Sequence, residues 1–188
     1  MDLKALYTEA ARHFGEGVAG VADDQWSNAT PDTEWDVRAL VNHVTGETLW
    51  IPDLLAGKTI AEVGSKYDGD VLGDDPKAVW AKALQKAVAA VEACEDLTSN
   101  VHLSFGDMPV KDYLGQMIID ATVHSWDLAQ GLKSSGAGPG PHLINAAYEL
   151  LVPQAEDWRK GGAFGPEIKV PDDASLGVKL LALTGRRA

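Results

Sequence analysis

The sequence predicts an all-α protein, an antiparallel helical bundle, and three observations carry that expectation. Apolar residues recur at spacings of three and four in five separate segments. One short stretch, Val101 to Phe105, alternates apolar and polar residues as a strand does. The connections between the periodic segments are too irregular for a coiled coil. The expected product is one domain over residues 1–188, with an additional helix, a short extended segment and a short C-terminal tail.

The first periodic segment, residues 3–18, places Leu3, Leu6, Tyr7, Ala10, Phe14 and Val18 on one helical face and stops near Gly20. After a polar stretch from Asp23 to Asp32, Thr33-Glu34-Trp35-Asp36 reads as a capping box, a hydroxyl at the cap with a carboxylate three residues on. The second helix follows, with a stripe of Val37, Leu40, Val41, Val44, Ile51 and Leu55, Pro52 within it and Gly57 at its end. Residues 57–75 mix glycines and acids without period and predict a long exposed loop. Asp75-Pro76 then reads as a cap followed by proline in the first turn, opening a third helix through Val79, Trp80, Ala83, Leu84, Ala87, Val88 and Val91.

Val101, Leu103 and Phe105 run up to Gly106-Asp107 as a short extended piece rather than a sheet. The fourth helix is expected over 110–132, ended by Gly131 and the Gly/Pro/Ser-rich residues 134–141. A fifth covers 142–160 with Ile144, Ala147, Tyr148, Leu151 and Trp158. The tail, 161–188, ends in an apolar run from Leu176 to Leu183.

Charge and composition exclude several function classes. Sixteen Lys and Arg against 28 Asp and Glu leave a net charge of −12. That disfavours a binder of nucleic-acid phosphates. No run of about 20 uncharged apolar residues is present, as a membrane span would need. The opening Met1-Asp2-Leu3-Lys4 lacks an export signal, and the single Cys94 fits a reducing cytoplasm. Gly15-x-Gly17-x-x-Gly20 matches a dinucleotide fingerprint in letters only, because it ends a helix and follows no strand.

The fourth helix carries Asp120 and His124 four positions apart. Such residues lie about 40° apart around the axis and one turn apart along it, so both reach a common point. The second helix offers His43 at the margin of its apolar stripe. Together they make a His, His and carboxylate set for one divalent metal ion, with coordination positions left for water or substrate. Glu47 and Asp127 are candidates to join the ligands or orient an imidazole, and Tyr113 to assist a proton transfer, although packing is its ordinary role. His13, His102 and His142 are expected to be solvated. Cys94 sits among acids, a setting that makes a poor nucleophile.

Three motifs, Trp35-Asp-Val-Arg-Ala-Leu-Val-Asn-His43-Val, His102-Leu-Ser-Phe-Gly-Asp-Met-Pro109 and Asp120-Ala-Thr-Val-His124-Ser-Trp-Asp-Leu-Ala129, carry a resemblance. They resemble the actinobacterial metal-binding proteins of the DinB-like superfamily, most closely the metal-binding domain of mycothiol-dependent maleylpyruvate isomerase. The closing Val170-Pro-Asp-Asp-Ala and Leu180-Leu-Ala-Leu-Thr-Gly-Arg186 are similar to that group's tail. The resemblance implies a four-helix up-down-down-up bundle holding one divalent ion, often zinc, with nickel and iron as alternatives. Residue by residue, its ligands fall on His43, Asp120 and His124. The isomerase has Glu where this chain has Asp120, and it has a larger C-terminal domain, so maleylpyruvate itself does not carry over as substrate.

These features lead to the expectation of a metal-dependent enzyme that uses a low-molecular-weight thiol on a small electrophile, as an S-transferase or isomerase. A metal-binding or small-ligand-binding protein without turnover and a metal-dependent hydrolase are the competing readings. The expected partners are a small-molecule substrate, with neither nucleic acid nor membrane, and association into a homodimer is left open.

Overall fold

In chain order the elements are α1 (Leu3–Gly20), α2 (Val37–Leu55), α3 (Ile60–Val63), α4 (Pro76–Ala93), β1 (Asn100–Leu103), β2 (Gly106–Pro109), α5 (Val110–Gly131), α6 (Pro141–Leu151), α7 (Ala155–Lys160) and α8 (Leu176–Leu183). They come from a computed structural model that describes residues 1–134 and 138–188. Most of the stretch expected to end the fourth helix therefore has a described position, while 135–137 lie outside the described residues.

Four long helices form the bundle, with α1 and α2 each packed on both α4 and α5. Their directions follow from end-to-end contacts. Lys4 Nζ donates to the Glu92 carbonyl at 3.2 Å and Lys77 Nζ to that of Ala19 at 3.0 Å, so α1 and α4 are antiparallel. Gly17 and Leu128 meet late in both of their helices, which makes α1 and α5 parallel, while Gly131 at the end of α5 abuts Val37 at the start of α2. The order is up-down-down-up, as the resemblance implies. No helix among the described residues is long and apolar enough to cross a membrane.

The apolar stripes meet in a continuous interior. Tyr7, Ala10, Ile51, Ala87, Leu114 and Ile118 fill one end, and Phe14, Val18, Val41, Trp80 and Leu128 fill the other. α5 is buried on more than one side because Ile119 and Val123 also pack outward against Ala147, Leu151 and Leu180 of α6 and α8. This central position brings Asp120, His124 and Asp127 out of bulk water.

Several boundaries differ from the sequence expectation, each for a local reason. The cap of α2 is Asp36, whose side chain accepts from the Ala39 amide, so Thr33 lies in the preceding turn and not at the cap. The extended piece is half of an antiparallel hairpin, β1 with β2, turned through Gly106 at φ 128°. The fifth helix ends at Leu151 because Pro153 has no amide to donate and its ring crowds the preceding turn; the chain resumes as α7. Within the expected loop 57–75, Thr59 and Glu62 cap the short α3 reciprocally, Leu72 is fully buried, and Asp53 binds Lys58, Lys66 and Tyr67. The apolar run in the tail is the helix α8, capped by Ser175. Asp75 caps α4 as expected.

Glycines at helix crossings explain the misleading fingerprint. A Cβ on Gly15 would lie 2.5 Å from Trp80 Nε1, and one on Gly17 2.8 Å from Leu128 Cδ2. These residues are small so that helices can approach. The same contrast gives a test. Gly131→Ala puts a methyl 2.8 Å from Val37 Cγ2 and 3.3 Å from Thr30 Cγ2, which should destabilise the fold by about 1–3 kcal/mol in urea unfolding. Gly46→Ala, inside α2 with no atom within 4 Å, should stabilise it by about 0.5–1 kcal/mol.

Candidate metal centre

Two helices bring three potential donors together. His43 projects from the second turn of α2, and Asp120 and His124 stand one turn apart on α5, where the antiparallel pairing sets the start of α2 against the second half of α5. Asp120 Oδ1 lies 3.4 Å from His43 Nε2 and 3.4 Å from His124 Nε2. One ligand atom from each residue lies within 4.8 Å of the others. Donors held at about 2.0–2.2 Å in a tetrahedral shell sit about 3.3–3.6 Å apart, so this spacing can hold an ion of that size. The three residues that the sequence singled out are adjacent in space.

The surroundings fix the orientation of His124. Its Nδ1 lies 2.9 Å from Asp127 Oδ2, one turn along α5, so an Nδ1–H donated there turns Nε2 toward Asp120 and His43. Asp127 is fully buried, and Arg186 caps its other face: Nε donates to Oδ1 at 2.8 Å and Nη2 to Oδ2 at 2.7 Å. Of the two residues proposed to orient an imidazole, Asp127 is the one hydrogen-bonded to His124. The indole of Trp35 lies against the His43 ring, centroids 4.5 Å apart.

Protonation follows from these contacts. Burial alone would lower the His124 pKa, but the charge and hydrogen bond of Asp120, with Asp127 behind, outweigh it and raise the imidazole from 6.5 to about 9. Burial would raise Asp120, yet the two imidazoles hold its carboxyl well below the usual range. Glu47, one turn after His43, is pushed upward first by burial and then by Asp120, with the imidazoles opposing. Burial also pushes the Tyr113 phenol far above its ordinary value, followed by Glu47 and Tyr7.

A cavity of about 470 Å³ opens beside the donors. It is lined by Trp35, Ile119 and Val123, by Trp158 of α7, and by Phe164 and residues 184–186 of the tail. Sequence reasoning missed Arg186, Asp32 and the tail aromatics as parts of the site. Arg186 stands 59 residues from Asp127, and no local period links them. A wider groove of about 780 Å³ along α1 shares no residue with the donors.

The remaining histidines lie elsewhere. His102 pairs with Asp107 across the hairpin at 2.7 Å, His13 sits 3.6 Å from Glu16, and His142 is 3.7 Å from Glu9. Tyr113 is buried in the core, in line with the packing role. Cys94 caps the end of α4.

Two measurements test this arrangement. Arg186→Ala leaves the buried Asp127 carboxylate with His124 as its remaining hydrogen-bond partner and should cost about 3 kcal/mol of stability, whereas Arg186→Ala combined with Asp127→Asn should cost less than the sum of the single changes. Because folding raises the His124 pKa from 6.5 to about 9, its pairs in metal-free protein stabilise fully below about pH 6.5. That contribution falls away as pH rises through about 9, so the unfolding midpoint should decline over this window and the decline should vanish in His124→Gln.

Comparison with known proteins agrees with these features. The family described as the mycothiol maleylpyruvate isomerase N-terminal domain matches residues 7–129. Two uncharacterised proteins of Mycobacterium tuberculosis, from strains CDC 1551 / Oshkosh and ATCC 25618 / H37Rv, are each 27% identical over 190 residues, covering 99% of this chain and 98% of theirs. No solved structure matches the chain. The matched segment holds α2, most of α5 and all three donors, and the chain belongs to the mycothiol maleylpyruvate isomerase N-terminal domain family, which is DinB-like.

Proposed function

We propose that His43, Asp120 and His124 hold one divalent metal ion, and that the protein is a transferase or isomerase joining a mycothiol-type low-molecular-weight thiol to a small electrophile. Residues 1–188 would then act as one bundle domain whose tail closes the site. The supporting observation is the donor cluster, two imidazole nitrogens each 3.4 Å from one carboxylate oxygen. Two imidazoles and a carboxylate suit zinc, and the same set accepts iron or nickel. The family's description supplies the thiol.

A divalent ion at this place supplies Lewis acidity, lowering the pKa of a nearby thiol from its ordinary value of about 8.5. The chain's residues prepare for that chemistry. Asp127 accepts the Nδ1–H hydrogen bond of His124 and so turns Nε2 toward the other donors, while His124 and Arg186 together hold the buried Asp127 in its ionised form. Glu47, with its carboxyl raised by burial and by Asp120, is the residue assigned to accept the proton a thiol gives up. Trp35 covers His43 and keeps water from that side.

Glu47 could equally serve as the base of a hydrolase, so the experiment must separate the two. Zinc-loaded protein is incubated with a thiol and a panel of small electrophiles, and thiol consumption is followed. The reading predicts a rate more than about tenfold above that of His124→Ala. A rate equal to the variant's contradicts it. Release of acid or alcohol without thiol points to hydrolysis instead.

A further inference from the structure

The cavity beside the donors has walls of unequal character. Trp35, Ile119 and Val123 line it together with Trp158 and Phe164, whose rings stack 5.5 Å apart with 27° between their planes. Beyond the donor set, the ionisable side chains lining it among the described residues are Asp32 and Arg186. The guanidinium of Arg186 is occupied: it binds Asp127 through Nε and Nη2, approaches the Thr184 carbonyl through Nη1 at 3.3 Å, and lies 3.6 Å from Asp32.

An anion entering the body of this cavity therefore meets no unoccupied cationic side chain among the described lining residues, and it meets the carboxylate of Asp32. Desolvating a charge without a partner is costly, whereas flat apolar groups gain by stacking on aromatic faces. A volume of about 470 Å³ is in the range of pockets that enclose small organic molecules.

We infer that this cavity takes an uncharged, planar, largely apolar molecule, such as an aromatic or conjugated carbonyl compound, and discriminates against carboxylates of the same shape. The inference rests on the proposed function in taking this cavity as the substrate site, and it names the class of electrophile. Trp158 and Phe164 become specificity-determining residues. They come from α7 and the tail, beyond the residues that the family match covers.

Binding of three probes, cinnamamide, cinnamate and maleate, is measured by calorimetry on metal-free and on zinc-loaded protein. Cinnamamide should bind both forms, and in metal-free protein it should bind at least about tenfold more tightly than cinnamate. Maleate should bind only when zinc is present. Phe164→Ala, at a half-buried ring, should weaken cinnamamide by about tenfold while leaving zinc affinity unchanged. Cinnamate or maleate binding metal-free protein as tightly as the amide, or no binding of the amide at millimolar concentration, overturns the inference. So does unaltered amide binding in both Phe164→Ala and Trp158→Ala. No thiol or turnover enters the measurement, so a protein that binds the amide yet consumes no thiol contradicts the proposed function and leaves this inference standing.

Discussion

The fully buried carboxylate of Asp127 is the interaction on which the rest of the site depends. On one side it receives the Arg186 guanidinium, and on the other it faces His124 Nδ1 at 2.9 Å. An isolated charge at that depth would be untenable. With both partners in place, one residue sets the imidazole's orientation and anchors the end of the chain to the bundle. Because Arg186 also approaches Asp32, the turn ahead of α2 is drawn into the same network. Stability and the geometry of the donors therefore share a cause.

The tail gives the bundle a wall it would otherwise lack. Trp158, Phe164 and residues 184–186 line the cavity with Trp35, and packing of α6 and α8 on the outer face of α5 holds this part of the chain against the bundle. The aromatic, charge-balanced surface that this segment adds to the cavity is what separates the inferred ligand from a dicarboxylate. The family shared with maleylpyruvate isomerase thus describes the donor half of the site better than the substrate half.

Much of this was legible in the sequence because it is local. The apolar period of α1, α2, α4 and α5 marks four buried stripes, and Asp120 and His124 share a helical face by spacing alone. His43 was reachable because an imidazole beside an apolar stripe needs a partner. Other features depend on contacts that no period encodes. The break between α6 and α7 was signalled by Pro153 and hidden by the continuing apolar pattern on either side. The hairpin needed a partner for β1 whose own residues, Gly106–Pro109, carry little apolar signal. The pairing of Arg186 with Asp127 arises from folding across 59 positions, and a closing Gly-Arg reads in isolation as an exposed end.

The central claim is that His43, Asp120 and His124 converge on one divalent cation. Elemental analysis of freshly purified protein, beside the Asp120→Ala and His43→Ala variants, addresses it most directly. The account predicts about one equivalent of a single divalent ion per chain, lost in both variants while their helical content is kept. A wild-type protein that retains no ion and takes up none on titration would contradict it, as would a full equivalent retained by both variants.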